Sequence, residues 1–333
     1  NIDERYNGNF TFSSTGFQKN YNTNVYEAVV NNNFLFETLD FITNNGIVSN
    51  YSLLMKNNNS YAKNSSDYEK NNDHELYQSF LFSSSFPLIK ENENSFDLLK
   101  PRLSFKYSPN NSKDISGDGL RLSFNNIFAL QRVDASTVEK GQSIALGLQY
   151  EKQNLDRKKI FEFNIANSIS DKKNKNLPSK SKLGETRSDI VGNLSFEPNE
   201  FFKLDYEFSY DRDLDYSNFD SISTEFSVNN VVTTFNYHTE NNDFGDSEVI
   251  SNTTKISFNE ESSLQFSTTK DLNTDFTEYY NIVYNYETDC LLASLNWNKA
   301  FYRDGSVEPV MDTWLLIKFI PFAEVLATDT GRK

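Results

Sequence analysis

The chain has 333 residues and carries 47 Asp and Glu against 32 Lys and Arg, a formal charge of -15. That balance lacks the basic footprint of a nucleic-acid binder. Hydrophobic residues make up only 37%, while Phe (29) and Tyr (18) are abundant; this is short of the usual provision for a soluble core, and no run of about 18 apolar residues offers a transmembrane helix.

In chain order, the dominant pattern is a two-residue alternation that restarts again and again. Strand-like examples are Leu120-Leu122-Phe124, Ile144-Leu146-Leu148-Tyr150, Phe161-Phe163-Ile165 and Ile190-Gly192-Leu194-Phe196. Further on come Phe202 to Asp211, Ile222-Thr224-Phe226-Val228, Val231-Thr233-Phe235-Tyr237, Tyr280-Ile282-Tyr284-Tyr286 and Leu291-Ala293-Leu295-Trp297. Successive side chains of a strand point to opposite faces, so each segment has one apolar and one polar face. Short breaks join many of them: Asn44-Asn45-Gly46, Glu197-Pro198-Asn199-Glu200, Asn229-Asn230 and Asn259-Glu260-Glu261-Ser262. Asn tolerates positive φ, which suits Asn229-Asn230 to a two-residue hairpin. Longer polar connections are expected at 57–73, 110–119, 133–141 and 171–187, the last with five lysines from Lys172 to Lys182.

The pattern predicts an all-β chain of roughly 16–18 antiparallel strands forming a transmembrane β-barrel of outer-membrane type. Its strands read as about 10–14 residues long, against about 5–6 in soluble sheets and about 9–11 for spanning a bilayer. The hairpins run consecutively, without Greek-key loops or a fixed repeat period. Aromatic pairs at strand ends (Phe201 and Phe202, Tyr279 and Tyr280, Phe301 and Tyr302, Phe319 and Phe322) fit interfacial girdles, and equally fit plain β-propensity. A composition break is absent, so residues 1–333 are expected to form one barrel region. The start at Asn1 reads as a processed or truncated end.

Three blocks carry a resemblance to a known family. The first is Ser85-Phe86-Pro87-Leu88 with Leu99 to Pro109. The second is Asn125-Asn126-Ile127-Phe128-Ala129-Leu130-Gln131-Arg132-Val133-Asp134, leading through Glu139-Lys140-Gly141 into the strand Ile144 to Tyr150. The third runs from Tyr280 through Asp289-Cys290-Leu291 and Trp297 to Phe301-Tyr302-Arg303-Asp304. Together, in order from about residue 85 to 320, they resemble LptD (also called OstA), the lipopolysaccharide-assembly barrel family of the outer membrane. The resemblance implies a barrel of about 26 strands, more than this chain offers. The chain is therefore expected to be the C-terminal part of a longer protein lacking the periplasmic N-terminal domain. It also implies transport of lipopolysaccharide to the outer leaflet, with an LptE-like plug lipoprotein and, through the N-terminal domain, an LptA-like bridge as partners.

Cys290 is the single cysteine and cannot form an internal bridge. The resemblance implies a disulfide from it to the absent periplasmic domain, although the family's adjacent cysteine pair is replaced here by Cys290-Leu291. Asn296, Asn298, Asp205 and Glu207 fall on the polar parity and are expected to line a wet lumen. The resemblance also implies a lateral gate, with Trp314, Leu315, Ile317 and Phe319 on the last strand as one side; the other side, the first strand, is not placed. His74 reads as part of a polar loop and His238 as the polar face of a strand. Asp211/Asp213/Asp215 and Asn242-Asp243 lack the full ligand set of a calcium loop. Catalysis, cofactors and metal are not expected. The competing readings are a passive porin, which would conduct without a plug lipoprotein, and a soluble β-rich surface protein.

Overall fold

A computed structural model describes residues 7–21, 24–65, 68, 70–109, 114–117, 120–132, 137–241, 246–301, 308–319 and 323–329. Among them every strand belongs to one 19-stranded sheet, and every strand pair whose register is described is antiparallel. Among the described residues no second sheet occurs to pack on its faces, as a sandwich would need. The chain divides into two compact units.

The first unit spans Asn1–Arg157, Phe163–Gly192 and Ser209–Tyr216. It holds β1 (Gly8–Asn20), β2 (Tyr26–Thr38), β3 (Phe41–Ile42), β4 (Val48–Lys63), β5 (Asn71–Ser85), β6 (Leu88–Asn92), β7 (Ser95–Ser108) and β8 (Gly141–Gln153), with most of β9 (Lys159–Ser170). Register explains the two faces. Phe10, Phe36, Leu53, Phe80 and Tyr107 lie opposite one another across β1, β2, β4, β5 and β7. The neighbouring row, Glu37, Ser52, Leu81, Lys106 and Ser143, falls on the other face. Phe10, Leu53 and Tyr107 of the apolar row are exposed, whereas Ser52, Leu81, Lys106 and Ser143 of its neighbour are buried. On β8, Leu146 is 47% exposed and Ala145 only 1%, the reverse of a protein folded in water.

The second unit spans Lys158–Glu162, Asn193–Phe208 and Ser217–Lys333. It contains most of β10 (Ile190–Asn199) and β11 (Phe202–Tyr210), then β12 (Ser217–Val228), β13 (Val231–Glu240), β14 (Ser247–Ser257), β15 (Ser262–Asp271), β16 (Phe276–Glu287), β17 (Leu291–Ala300), β18 (Val310–Phe319) and β19 (Ala323–Asp329). From β12 to β18 one row is apolar throughout: Val228, Val231, Ile256, Leu264, Tyr284, Leu295 and Leu315. Leu295 on this face is 47% exposed, whereas Asn296 beside it on the polar face is 9% exposed. An aromatic chain, Phe161–Phe196–Phe202–Phe226, joins strand ends at centroid spacings of 6.3, 6.3 and 5.3 Å, and Tyr280 meets Phe301 at 5.8 Å. Tyr302 and Phe322 lie outside the described residues.

The expected turns close as read. Asn229 takes φ +53° and Val228 pairs with Val231. The Asn259 carboxamide oxygen accepts from the Glu261 and Ser262 N–H groups at 3.0 and 2.7 Å. Gly46 sits at φ +82°.

Three readings are corrected. Residues 57–73 are not all loop: β4 runs to Lys63 with Asn57, Asn58 and Asn59 paired to Asn32, Asn31 and Val30. Ladder bonds use the backbone, so a run of Asn can be a strand when its neighbour is long enough. His74 likewise lies on β5, opposite Asn59, and its Nδ1 is 2.8 Å from the Asn59 carboxamide oxygen. Finally, Leu120-Leu122-Phe124 is not a strand. It turns at Ser123, whose carbonyl accepts the Ile127 N–H at 3.0 Å, and its Leu122 and Phe124 are buried.

Candidate functional site

The expected long loops at 110–119, 133–141 and 171–187 do not simply project into solvent. In the first unit, their described parts lie on the polar face of the sheet. Leu122, Phe124, Ile127 and Phe128 form one buried cluster with Ala145 of β8, Ala166 of β9, Val191 of β10, and Leu177 and Leu183. A second cluster joins Val138 and the flanking Leu130 to Leu54 of β4, Tyr77 of β5 and Leu35 of β2. Small wall residues make room. A Cβ on Gly147 would sit 2.5 Å from Cζ of Phe128 and 3.0 Å from Cβ of Ala166. The Arg102 guanidinium of β7 lies over the Phe128 ring at 4.2 Å.

Between these clusters lies a buried charge network. Glu139 receives the Arg132 fork, with Nε at 3.1 Å from both carboxylate oxygens and Nη2 at 2.5 Å. It also receives Nζ of Lys106 from β7 at 2.8 Å. Arg132 donates in addition to Ser168 of β9 at 2.7 Å and Ser143 of β8 at 3.0 Å. All three charged side chains are under a tenth exposed. Burial alone would push the Glu139 carboxyl up; the Arg132 and Lys106 charges outweigh it and hold it down at about 2. Arg132 and Glu139 both stand in the second resemblance block, but nothing in a linear sequence showed that they meet or that Lys106 joins them. Val133 and Asp134 of that block lie outside the described residues.

A nearby loop is anchored similarly. Lys182 donates to the Tyr216 hydroxyl at 2.5 Å; burial works against its charge, yet that bond and Asp189 raise its pKa. Asp211 accepts the Asp215 N–H at 2.8 Å; burial is outweighed by such backbone donors, and its pKa falls. Its carboxylate therefore serves the β11–β12 turn. Asn242-Asp243 lies outside the described residues.

The expected lumen residues are in the second unit. Asn296 accepts from Asn281 at 3.0 Å and Asn298 donates to Asp312 at 3.1 Å, both on β17. Asp205 on β11 accepts from Ser195 at 2.7 Å and pairs with Lys203 at 2.9 Å; Glu207 is half-buried on the same strand. Two groups of strands thus carry them, β11 and β17. The row through Asn298 is polar from end to end: Glu225, Thr234, Thr253, Ser267, Asn281, Asn298 and Asp312. Only register reveals it. His238 packs edge-on against Phe219 at 5.0 Å. Cys290 is exposed in the turn between β16 and β17, 3.9 Å from the Thr288 hydroxyl.

The expected last strand is corrected. Trp314, Leu315, Ile317 and Phe319 lie on β18, which pairs with β17 along its length and with β19 on its other side. The sheet was expected to end near Phe322, but Ala323–Asp329 adds one further strand of seven residues. These four residues are thus inside a ladder and not at an open edge.

A consecutive antiparallel meander whose apolar rows are exposed and whose polar rows are covered is the construction of an integral outer-membrane β-barrel. The sequence profile of the family described as LptD, LPS transport system D, matches residues 77–276. That is more than half of the chain, and the chain belongs to this family. The match includes the first two resemblance blocks and ends before the third. No curated protein sequence matches the chain. Among solved structures, it is similar to a triple mutant of Rh. blastica porin, with 12% identity, 89% of this chain and 94% of that chain covered, and TM-score 0.36. A second mutant of Rh. blastica porin has 10% identity, coverage of 97% and 99%, and TM-score 0.35. Family membership places the chain in lipopolysaccharide handling at the outer membrane. Among the described residues, no cluster of metal-ligating side chains and no helix long and apolar enough to cross a membrane occurs.

Proposed function

We propose that this barrel carries out the last step of lipopolysaccharide transport, insertion into the outer leaflet. The polar glycan passes along the hydrated face, and the acyl chains leave sideways into lipid through a seam. The observation that supports the reading is the polar row from Glu225 to Asp312. Its interior members are uncharged hydroxyls and carboxamides, some already bonded to each other, such as Thr253 to Ser267 at 3.2 Å. Such a surface exchanges hydrogen bonds with sugar hydroxyls without gripping the anionic groups of the ligand. Transport of this kind is physical: no covalent step is involved, and the free energy at stake is that of moving a headgroup past an apolar layer.

An LptE-like lipoprotein and an LptA-like bridge belong to this reading as partners. So does an oxidised Cys290 bonded to a periplasmic domain, supported by its exposure in a turn and by the oxidising compartment. The test is Ser267→Phe with Asn281→Leu in cells depending on this protein. Surface lipopolysaccharide is expected to fall while the folded barrel stays at normal abundance. Unchanged surface lipopolysaccharide, with ion conductance by the lone chain, would mark a passive channel instead.

A further inference from the structure

We propose that residues 120–132 and 137–140 form a plug seated on the polar face of the first unit, and that the Lys106–Glu139–Arg132 cluster is the latch holding it. The inference rests on the reading that this face borders the transport path. Three observations carry it. First, seating is two-ended: Leu130 and Val138 press on Leu54 and Tyr77, while Phe124, Ile127 and Phe128 press on Ala145 and Ala166. Second, the latch ties the segment to three successive wall strands, through Lys106 of β7, Ser143 of β8 and Ser168 of β9. Third, the wall beneath the latch and the Phe124–Phe128 end includes small or hydroxylated side chains, Ser143, Ser168, Ala145 and Ala166.

The third point separates a releasable plug from a permanent core. Ser143 and Ser168 are buried and accept from Arg132, and water can replace the segment as their partner. Under Phe124, Ile127 and Phe128 the wall offers the methyl-sized Ala145 and Ala166 with Val191 beside them, while at the other end lifting the segment uncovers Leu54 and Tyr77. The latch supplies the discrimination between states. Buried charges that lose one partner are left uncompensated, so the seated arrangement is favoured as a set and slides poorly. Arg132 supplies geometry as well as charge, because its fork meets both carboxylate oxygens. The three charges sum to one excess cation, so an anionic group arriving at the face competes with Glu139 for Arg132 and Lys106.

The test uses the full chain in lipid vesicles, with Ala145→Cys in a Cys290→Ser background as a reporter beneath the segment. A membrane-impermeant maleimide is expected to label that site slowly. Glu139→Gln should raise the labelling rate on the order of a hundred-fold, the scale set by breaking a buried ion pair, and Glu139→Asp should restore most of the protection. Planar-bilayer conductance should rise with labelling. If Glu139→Gln leaves labelling unchanged in a barrel that still shows its heat-modifiable gel shift, the latch is wrong. If labelling rises without added conductance, the plug is wrong. Where Glu139→Gln gives no folded barrel, Arg132→Lys keeps the charge, drops the fork, and takes both readouts. None of these measurements involves lipopolysaccharide, so they separate this proposal from the transport reading.

Discussion

Gly147 is the position where the structure makes its sharpest demand. Adding one methyl group there puts a Cβ 2.5 Å from Cζ of Phe128, 3.0 Å from Cβ of Ala166 and 3.0 Å from the Ile165 carbonyl oxygen. The Phe128 ring tip can swing, but Ala166 and the Ile165 backbone are fixed in the adjacent strand. Overpacking of this kind costs about 1–3 kcal/mol. Gly117 is a built-in control, since a Cβ there meets nothing within 4 Å. Gly147→Ala should therefore lower the urea midpoint of the lipid-folded protein, read by the fluorescence of Trp297 and Trp314, by the equivalent of about 1–3 kcal/mol. Gly117→Ala should stay within about 0.5 kcal/mol. Adding Phe128→Leu to Gly147→Ala should recover part of the loss by shortening the intruding side chain. A Gly147→Ala protein as stable as the wild type would show that Phe128 is not seated against β8, and the account of the covered face would fall with it.

Two further outcomes follow from the same geometry. The Glu139 carboxyl is held at about 2, below its ordinary value, so it contributes stability that is fully present above the unfolded value of about 4.3 and is lost as pH falls through the folded one. The difference in urea midpoint between the wild type and Glu139→Gln should be constant from pH 7 to about pH 5 and shrink toward pH 2; a gap that widens on acidification would contradict the ion network. On the opposite face, Leu146→Arg should cost up to about 2–4 kcal/mol for folding into vesicles, the price of a cation near the bilayer midplane. Ser267→Arg, on the polar face, should fold nearly as well as the wild type, and equal behaviour of the two would contradict the facing.

The strands and their facing were legible because period two survives in linear form: Ile144, Leu146 and Leu148 alternate with Ser143, Ala145 and Gly147 wherever the pairing lies. The Asn229 turn was legible for the same local reason. What could not be read was pairing across distance. The row from Glu225 to Asp312 draws one residue from each of seven strands and exists only after register is set. The covered face was missed because Leu122 and Phe124 alternate like a strand, although the Leu122 N–H goes to the Ser181 hydroxyl at 2.6 Å and not to a ladder. Arg132, Glu139 and Lys106 look like ordinary solvated charges until the segment folds back across β7. The terminal strand, Ala323–Asp329, has only seven residues, below the length expected of a spanning strand.

The alternation that builds the wall also governs how the chain travels. Its most apolar stretch, Trp314 to Ile320, is cut by Lys318, and along most of the chain oily and wet residues take turns. A chain so interleaved never presents a helical span for an inner bilayer to retain. It carries its affinity for hydrocarbon in latent form, scattered along the polymer, and only the ladder gathers it onto one side at the membrane where it is meant to stay.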